Sequence, residues 1–333
     1  MALRALGLGD LLTALPALRA LREAFSAHRL ILAAPHALAP LAHLSEAVDE
    51  VVDTGPLAPL PATLHGADVA VNLHGRGPQS HGVLLTARPR RLLAFEHPEA
   101  PESRGGPTWR AAEHEVVRWC RLLEEAGIPA DPSRLDLPCP ESSPSGRGVT
   151  VVHPGAASAA RRWPSERFSA VARAERGADR EVVVTGSAGE VELARVVARE
   201  AGLSSAAVLA GRTDLLELAA VVAAADRVVC GDTGVGHLAT AFGTRSVVLF
   251  GPTSPHDWGP PAERPWHRAL WSGQTGDPHA AETDPGLLEI SVAEVLEALR
   301  GLPPASGSGV QPRRDESRIR ARVAVPMTGS KFP

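Results

Sequence analysis

The sequence predicts an α/β fold of two doubly wound, Rossmann-like domains that face each other across a cleft. Short aliphatic and β-branched runs alternate with stretches of helical period along most of the chain. This alternation is typical of parallel sheets covered by helices. It is interrupted between residues 128 and 148, where five prolines and several serines are typical of an interdomain linker. At 333 residues, the chain is long enough for two domains of roughly 150 residues each.

The division into domains follows from this linker. We expect an N-terminal domain over residues 1–140, a C-terminal domain over residues 141–302 and a tail over residues 303–333. The tail is rich in Ser, Gly, Pro and Arg and has no apolar period, so we expect it to be disordered.

The N-terminal half alternates strands and helices from its first residues. Pro16 lies inside the first helical run and predicts a kink or an irregular turn. The fourth strand ends in the polar loop 74–77, at the carboxyl edge of the sheet. Strands are predicted over 3–6, 29–34, 48–52, 68–73 and 91–95. Helices are predicted over 11–24, 37–44 and 111–126, and a further helix follows the loop 74–77 and ends at residue 85.

The C-terminal half repeats the same alternation, beginning at the uninterrupted strand run Val149-Thr150-Val151-Val152. Strands are predicted over 149–152, 181–185, 208–211, 227–230 and 246–250, and helices over 165–176, 190–201, 214–224, 235–242 and 291–299.

The most informative stretch follows the strand over 227–230 and reads Gly231-Asp232-Thr233-Gly234-Val235-Gly236-His237. A strand, a glycine-rich turn and a helix place the free N–H groups of a helix start beside an anion. Thr233 and His237 can donate to a phosphate, whereas Asp232 can accept from a sugar hydroxyl. This combination favours a sugar nucleotide. A plain turn, with Asp232 as the helix N-cap and His237 simply packed, remains an alternative.

A second glycine-bearing turn, Gly7-Leu8-Gly9-Asp10, follows the first strand. It is not a dinucleotide fingerprint, because Leu12 stands where the third glycine is required and no acidic residue ends a second strand. Asp10 lies between the carboxyl end of a strand and a helix start, where open α/β sheets carry their active sites. Helix capping is the alternative role for Asp10.

Composition argues against several classes of protein. The net charge of −4 and the pI of about 6.4 do not favour a nucleic-acid partner. The three cysteines are scattered without metal-ligand spacing, so we expect neither a metal site nor structural disulfides. No run approaches the ~20 apolar residues that span a bilayer, and the N-terminus lacks a cleavage pattern. We therefore expect a soluble, cytoplasmic protein.

Three ordered motifs resemble the ADP-heptose:lipopolysaccharide heptosyltransferase family, which is glycosyltransferase family nine. They are LRALGLGDLLTALPALRALREAF, HPGAASAARRWP and LAGRTDLLELAAVVAAADRVVCGDTGVGHLATAFGTRSVVLFGPTSP, and the resemblance covers most of residues 1–260. It implies the GT-B fold, with the acceptor in the N-terminal domain and the sugar nucleotide in the C-terminal domain. It also implies inverting transfer without a metal or other cofactor, an ADP-linked donor and a glycan, lipid-linked or small-molecule acceptor. A peripheral contact with the inner membrane surface is compatible with such an acceptor.

The resemblance also implies roles for particular donor-binding residues. Thr233, Gly234 and His237 match the residues that bind the diphosphate. Asp232 matches the residue at the hydroxyls of the donor sugar. Glu217, in Leu216-Glu217-Leu218, matches the acidic residue that holds the ribose.

By the same resemblance, Asp10 matches the general base, while the HPG loop departs from the family pattern. Many members carry hydroxyl residues and a lysine in this loop, whereas here only Ser158 and the pair Arg161-Arg162 are present. Arginine can still bind phosphate through two parallel hydrogen bonds. The alternative is a solvated arginine pair beside a core Trp163, and this suits Arg162 better than Arg161.

Two other functions remain open at this point. One is another GT-B sugar-nucleotide enzyme such as an epimerase, which the GLGD motif does not favour. The other is a non-catalytic protein that binds nucleotide sugars, which the alanine-rich HPG loop allows.

Overall fold

Two parallel five-stranded sheets, one from each half of the chain, form the framework of the protein. The computed structural model describes residues 1–140 and 148–304. The first sheet has the strand order β3-β2-β1-β4-β5 and the second has the order β10-β9-β8-β6-β7. The strands are β1 (Ala2–Leu3), β2 (Ile31–Ala34), β3 (Glu50–Asp53), β4 (Val69–Asn72), β5 (Arg91–Leu93), β6 (Val149–His153), β7 (Glu181–Val184), β8 (Arg227–Gly231), β9 (Arg245–Leu249) and β10 (His267–Leu270).

Helices connect the strands, as the predicted α/β fold requires. They are α1 (Leu8–Thr13), α2 (Leu15–Ala24), α3 (Ala39–Leu44), α4 (Gln79–Thr86), α5 (Glu115–Glu124), α6 (Ser165–Gly177), α7 (Val191–Glu200), α8 (Leu215–Ala224), α9 (Gly234–Phe242), α10 (Pro255–Trp258), α11 (Pro285–Glu289) and α12 (Val292–Arg300). None of the described helices is long and apolar enough to cross a membrane.

Most predicted elements are confirmed, and the differences have physical causes. The helix predicted over 11–24 is two helices, because Pro16 in the first turn of α2 separates it from α1 at Ala14. The strand predicted over 208–211 is wrong: Val208 forms only an isolated bridge with Val184. Strand β10 was not predicted, since His267 and Arg268 interrupt any apolar run.

A continuous apolar core joins the two sheets. One cluster of buried side chains includes Leu11 and Leu15 from the N-terminal half together with Val235 and Leu238 from α9. Met1–Pro303 accordingly form one compact unit. The predicted boundary at residue 140 adjoins a segment outside the described residues, as does nearly all of the predicted tail, so both remain predictions.

The strand order of each sheet reverses once. In the first sheet β2 and β3 lie to one side of β1 and β4 lies to the other. In the second, β7 and β8 flank β6 in the same way. Parallel α/β sheets bind ligands in the crevice at the carboxyl ends of the two strands where the order reverses. The two crevices are therefore between β1 and β4 and between β6 and β8.

Candidate active site

The helices that leave these two crevices, α1 and α9, pack directly against each other. A Cβ atom added to Gly9 would lie 2.9 Å from Cδ2 of His237, and one added to Gly234 would lie 2.7 Å from Cγ of Leu8. Both distances are too short for a real side chain, so each glycine admits a side chain of the other helix. The contact brings the turn that contains Asp10 next to the turn predicted to bind the donor.

Asp10 lies in the first turn of α1, and both of its carboxylate oxygens are held. Oδ2 accepts from the backbone N–H of Gly7 at 3.1 Å, and Oδ1 accepts from Nη2 of Arg4 at 3.2 Å. The side chain remains 26% exposed. The N-cap of α1 is Gly7, so the interpretation of Asp10 as the cap is wrong; Asp10 supports the helix start from the third helical position and still presents a carboxylate to solvent.

Arg4 is the residue of this region that sequence reasoning missed. It is fully buried, and its guanidinium donates to the carbonyl oxygen of Leu73 at 2.5 Å and to Oε1 of Glu115 at 2.8 Å. It also lies 4.8 Å from the ring centre of Trp119. Burial opposes ionisation of Glu115, but the charges and hydrogen bonds of Arg4, Arg118 and Trp119 together outweigh it, so the pKa of Glu115 lies below its usual range. Arg4 thus anchors the carboxylate of Asp10 to the protein interior.

Asp232 lies directly after β8 and is almost completely buried. Burial raises the pKa of its carboxyl to about 6, although the guanidinium of Arg161 opposes this rise. Nη1 of Arg161 lies 4.0 Å from Oδ2 of Asp232. The N-cap of α9 is Thr233, so the interpretation of Asp232 as the cap is wrong.

Thr233 holds a buried hydroxyl at the start of α9. It lies near the thiol of Cys230, yet within the described residues it makes no hydrogen bond of ordinary geometry. A buried hydroxyl without a partner is uncommon in proteins and often marks a ligand position.

His237, on the first turns of α9, lies between two small pockets. One is lined by Leu12, Thr13 and His114 and the other by Asp232, Thr233 and Trp258, and His237 lines both. Its ring packs edge-on against Trp258. Burial lowers the pKa of His237 to about 4, so the imidazole is neutral at pH 7 and offers an N–H rather than a positive charge.

The loop after β6 carries Ser158 and Arg161. Ser158 donates its hydroxyl to the carbonyl of Pro278 at 2.5 Å, which fixes the loop. Nε of Arg161 lies 3.4 Å from Oγ of Ser158, and Nη1 lies 3.5 Å from the carbonyl oxygen of Asp232. The side chain of Arg161 is 24% exposed. It therefore supplies a positive charge next to Asp232.

The next two residues of this loop have structural positions. Nε of Arg162 donates to the carbonyl of Ala156 at 3.0 Å. Trp163 is buried, and its indole N–H donates to the carbonyl of Ile290. The expectation that Arg162 is the more structural arginine agrees with these contacts.

Glu217 is exposed and takes part in the start of α8. Its Oε2 accepts from the N–H of Asp214 at 2.8 Å, and Asp214 accepts from the N–H of Glu217. Another acidic residue faces the loop after β6 more closely: a Cβ atom on Gly155 would lie 2.1 Å from Oε1 of Glu190. Sequence reasoning used Glu190 only as the start of a helix.

Within the described residues, no cluster of three or more metal-ligating side chains occurs.

Comparison with known proteins gives the family. Residues 108–277 match the sequence model of glycosyltransferase family 9 (heptosyltransferase), which is half of the chain. The chain belongs to this family. It is 30% identical to lipopolysaccharide heptosyltransferase 3 of Escherichia coli over 173 residues, 49% of each protein. It is 35% identical to lipopolysaccharide heptosyltransferase 1 of Pseudomonas aeruginosa over 160 residues, 43% of this chain and 41% of that protein. The match spans about half the length of these curated relatives.

Solved structures confirm the predicted GT-B fold. E. coli ADP-heptose lps heptosyltransferase II aligns with a TM-score of 0.73 at 22% identity, over 90% of this chain and 97% of that one. E. coli heptosyltransferase WaaC with ADP aligns with a TM-score of 0.69 at 17% identity, over 91% and 99%.

Proposed function

We propose that this family 9 protein is an inverting, metal-independent glycosyltransferase. It moves a heptose or related sugar from an ADP-linked donor to a glycan or lipopolysaccharide-type acceptor. The observation that carries the proposal is the packing of α1 on α9, because it sets the carboxylate of Asp10 opposite the turn that holds Asp232, Thr233 and His237. The names of the relatives support heptose, ADP and lipopolysaccharide.

The reaction follows from this arrangement. Asp10 removes the proton of the acceptor hydroxyl while that oxygen bonds to the anomeric carbon of the donor. The bond from the anomeric carbon to the diphosphate oxygen breaks, and its electron pair leaves with the nucleoside diphosphate. In the proposed inverting mechanism, the acceptor oxygen attacks the anomeric carbon on the face opposite the departing diphosphate, so the configuration at that carbon inverts.

The C-terminal half would hold the donor by complementary groups. Arg161 meets the negative charge of the diphosphate, and Thr233, His237 and the backbone N–H of Gly234 donate hydrogen bonds to it. Asp232 accepts from hydroxyls of the transferred sugar, and Ser158 keeps the loop of Arg161 in place. Glu217 remains the proposed ribose ligand, and Glu190 is the competing candidate because of its contact with Gly155.

The location follows from the proposed substrates. We place the protein in the cytoplasm, where nucleotide sugars are available, with a peripheral contact at the inner membrane surface to reach a lipid-linked acceptor. Nucleic acid has no role in this function.

The test is the variant Asp10→Asn, assayed with ADP-heptose and lipopolysaccharide that lacks heptose. Asn preserves one of the two hydrogen bonds of the carboxylate but cannot take a proton. The melting temperature should fall by only a few degrees and ADP affinity should not change, while transfer should fall by at least ~10²-fold. Asp68→Asn, an exposed aspartate of the same half, is the control. A variant that transfers at the parental rate removes Asp10 from the mechanism.

Binding of the donor has a separate test. ADP should bind in calorimetry in the presence of EDTA, and His237→Ala should weaken binding by ~1–3 kcal/mol. A strict requirement for magnesium would contradict metal independence. A protein that binds ADP-heptose with full affinity but transfers nothing would instead be a binding protein.

A further inference from the structure

The end of β4 brings a histidine into the crevice that contains Asp10. Strand β4 pairs with β1, with Asn72 opposite Leu3, so the residues after Asn72 lie at the carboxyl edge beside the turn that leads to Asp10. His74 is two residues beyond the end of the strand. Because the order of the first sheet reverses between β1 and β4, His74 and Asp10 lie at the same ligand-binding edge.

A buried hydrogen-bond network fixes the backbone at His74. Oδ1 of Asn72 accepts from the backbone N–H of His74 at 2.9 Å. The amide nitrogen of Asn72 donates to Oγ of Ser80 and to Nδ1 of His81, both at 2.8 Å. Nε2 of His81 then donates to the carbonyl of Phe95 at 2.7 Å. Asn72 and His81 are completely buried. These polar groups hold the loop in one shape.

One ring nitrogen of His74 has no hydrogen-bond partner among the described residues. This atom, Nδ1, is buried. One guanidinium, that of Arg4, bonds both the carbonyl of Leu73 and Oδ1 of Asp10, which ties the backbone before His74 to the carboxylate. Burial and the positive charge of Arg4 lower the pKa of His74. The negative charge of Asp10 opposes this, but the pKa stays below its usual value. The ring is neutral at pH 7, and a buried, unpaired nitrogen in a crevice is costly unless a ligand satisfies it.

We propose that His74 is an acceptor-binding residue, whose Nδ1 makes a hydrogen bond with a second hydroxyl of the sugar that presents its reactive hydroxyl to Asp10. The acceptor class is then a sugar unit with two free hydroxyls close together. This inference rests on the proposed function, because it assigns the acceptor to the crevice of Asp10. His74 makes the site selective, since an acceptor without the second hydroxyl leaves the imidazole nitrogen unpaired.

The experiment compares two variants of His74 in the full-length protein. His74→Phe keeps a ring of similar size and removes both nitrogens, whereas His74→Asn restores a polar group near Nδ1. His65→Phe, an exposed histidine of the same half, is the matched control. The probes are ADP-heptose and heptose-free lipopolysaccharide, and the measurements are KM for each substrate, acceptor binding in the presence of ADP, and the slow hydrolysis of ADP-heptose without acceptor.

His74→Phe should raise the acceptor KM about 10-fold, and His74→Asn should recover most of this loss. The KM for ADP-heptose and donor hydrolysis should stay at the parental values in both, and the melting temperature should not fall. An unchanged acceptor KM in His74→Phe, or an equal loss of donor binding and stability, overturns the inference while the proposed function stands. If the parent binds ADP but neither binds nor glycosylates the lipopolysaccharide, the proposed acceptor and the inference are both wrong.

Discussion

Asp232→Asn should stabilise the protein at alkaline pH and leave its stability unchanged at acid pH. Burial raises the pKa of Asp232 to about 6 from an ordinary value of 3.8. The folded state therefore holds its proton more tightly than the unfolded chain. Folding is not penalised below pH 3.8. The penalty grows as the pH rises from 3.8 to about 6 and stays constant at higher pH, where the folded carboxyl is ionised too.

The size of the effect follows from this difference in pKa. Each pH unit between the two values corresponds to about 1.4 kcal/mol, so the penalty at pH 8 is about 3 kcal/mol. Asn has nearly the same shape and no charge, and it removes the penalty. The loss of the carboxylate costs Arg161 little, because the two charged groups are 4.0 Å apart and the guanidinium is 24% exposed.

The assay is urea denaturation of the parent and variant between pH 4 and pH 8. The free energy of unfolding of the variant should exceed that of the parent by an amount that rises from near zero to about 3 kcal/mol. Asp131→Asn is the control with the opposite sign: hydrogen bonds from Ser133 lower the pKa of Asp131, so this change should destabilise most at higher pH. A difference for Asp232→Asn that does not vary with pH would refute the reasoning.

Three further predictions concern the donor site. Arg161→Ala should weaken ADP binding about 10- to 100-fold in calorimetry, because it removes a charged hydrogen-bond donor. Arg162→Ala is the control and should have a much smaller effect; equal losses would contradict the assignment of Arg161 to the diphosphate. Glu190→Gln and Glu217→Gln should separate the two ribose candidates, since only the true ligand should lower affinity for ADP without changing affinity for inorganic pyrophosphate. ADP binding at pH 7 should take up protons, because a nearby diphosphate raises the pKa of Asp232. Titration in buffers of different ionisation enthalpy measures this uptake, and Asp232→Asn should reduce it.

The sequence predicts best those elements that are apolar on both faces. Strands β6 (VTVVH) and β8 (RVVCG) are rich in valine, because both faces of an inner parallel strand are buried. Strand β10 lies at the edge of the sheet beside β9. Polar residues are tolerated in such a strand, so its sequence has no apolar run from which it could be predicted.

The candidate site was predictable only where its residues are close in sequence. Asp232, Thr233 and His237 follow one strand and were recognised together. Arg4 was not, because its partners Leu73 and Glu115 are 69 and 111 positions away. A pattern that is local in sequence does indicate the start of α8: Asp214-Leu-Leu-Glu217 has the spacing of a capping box, and both of its hydrogen bonds are present.

The Gly-x-Gly of the first turn has a structural explanation that differs from nucleotide binding. Gly7 provides the N–H that holds Oδ2 of Asp10. Gly9 has no room for a side chain, since the ring of His237 occupies that space. Dinucleotide folds need their third glycine for close packing of a helix on its own sheet, whereas here the close approach is between helices of opposite halves. Leu12 can therefore occupy the third position, where it is buried in the core. The two glycines that remain are the ones required to bring the carboxylate of Asp10 up to α9.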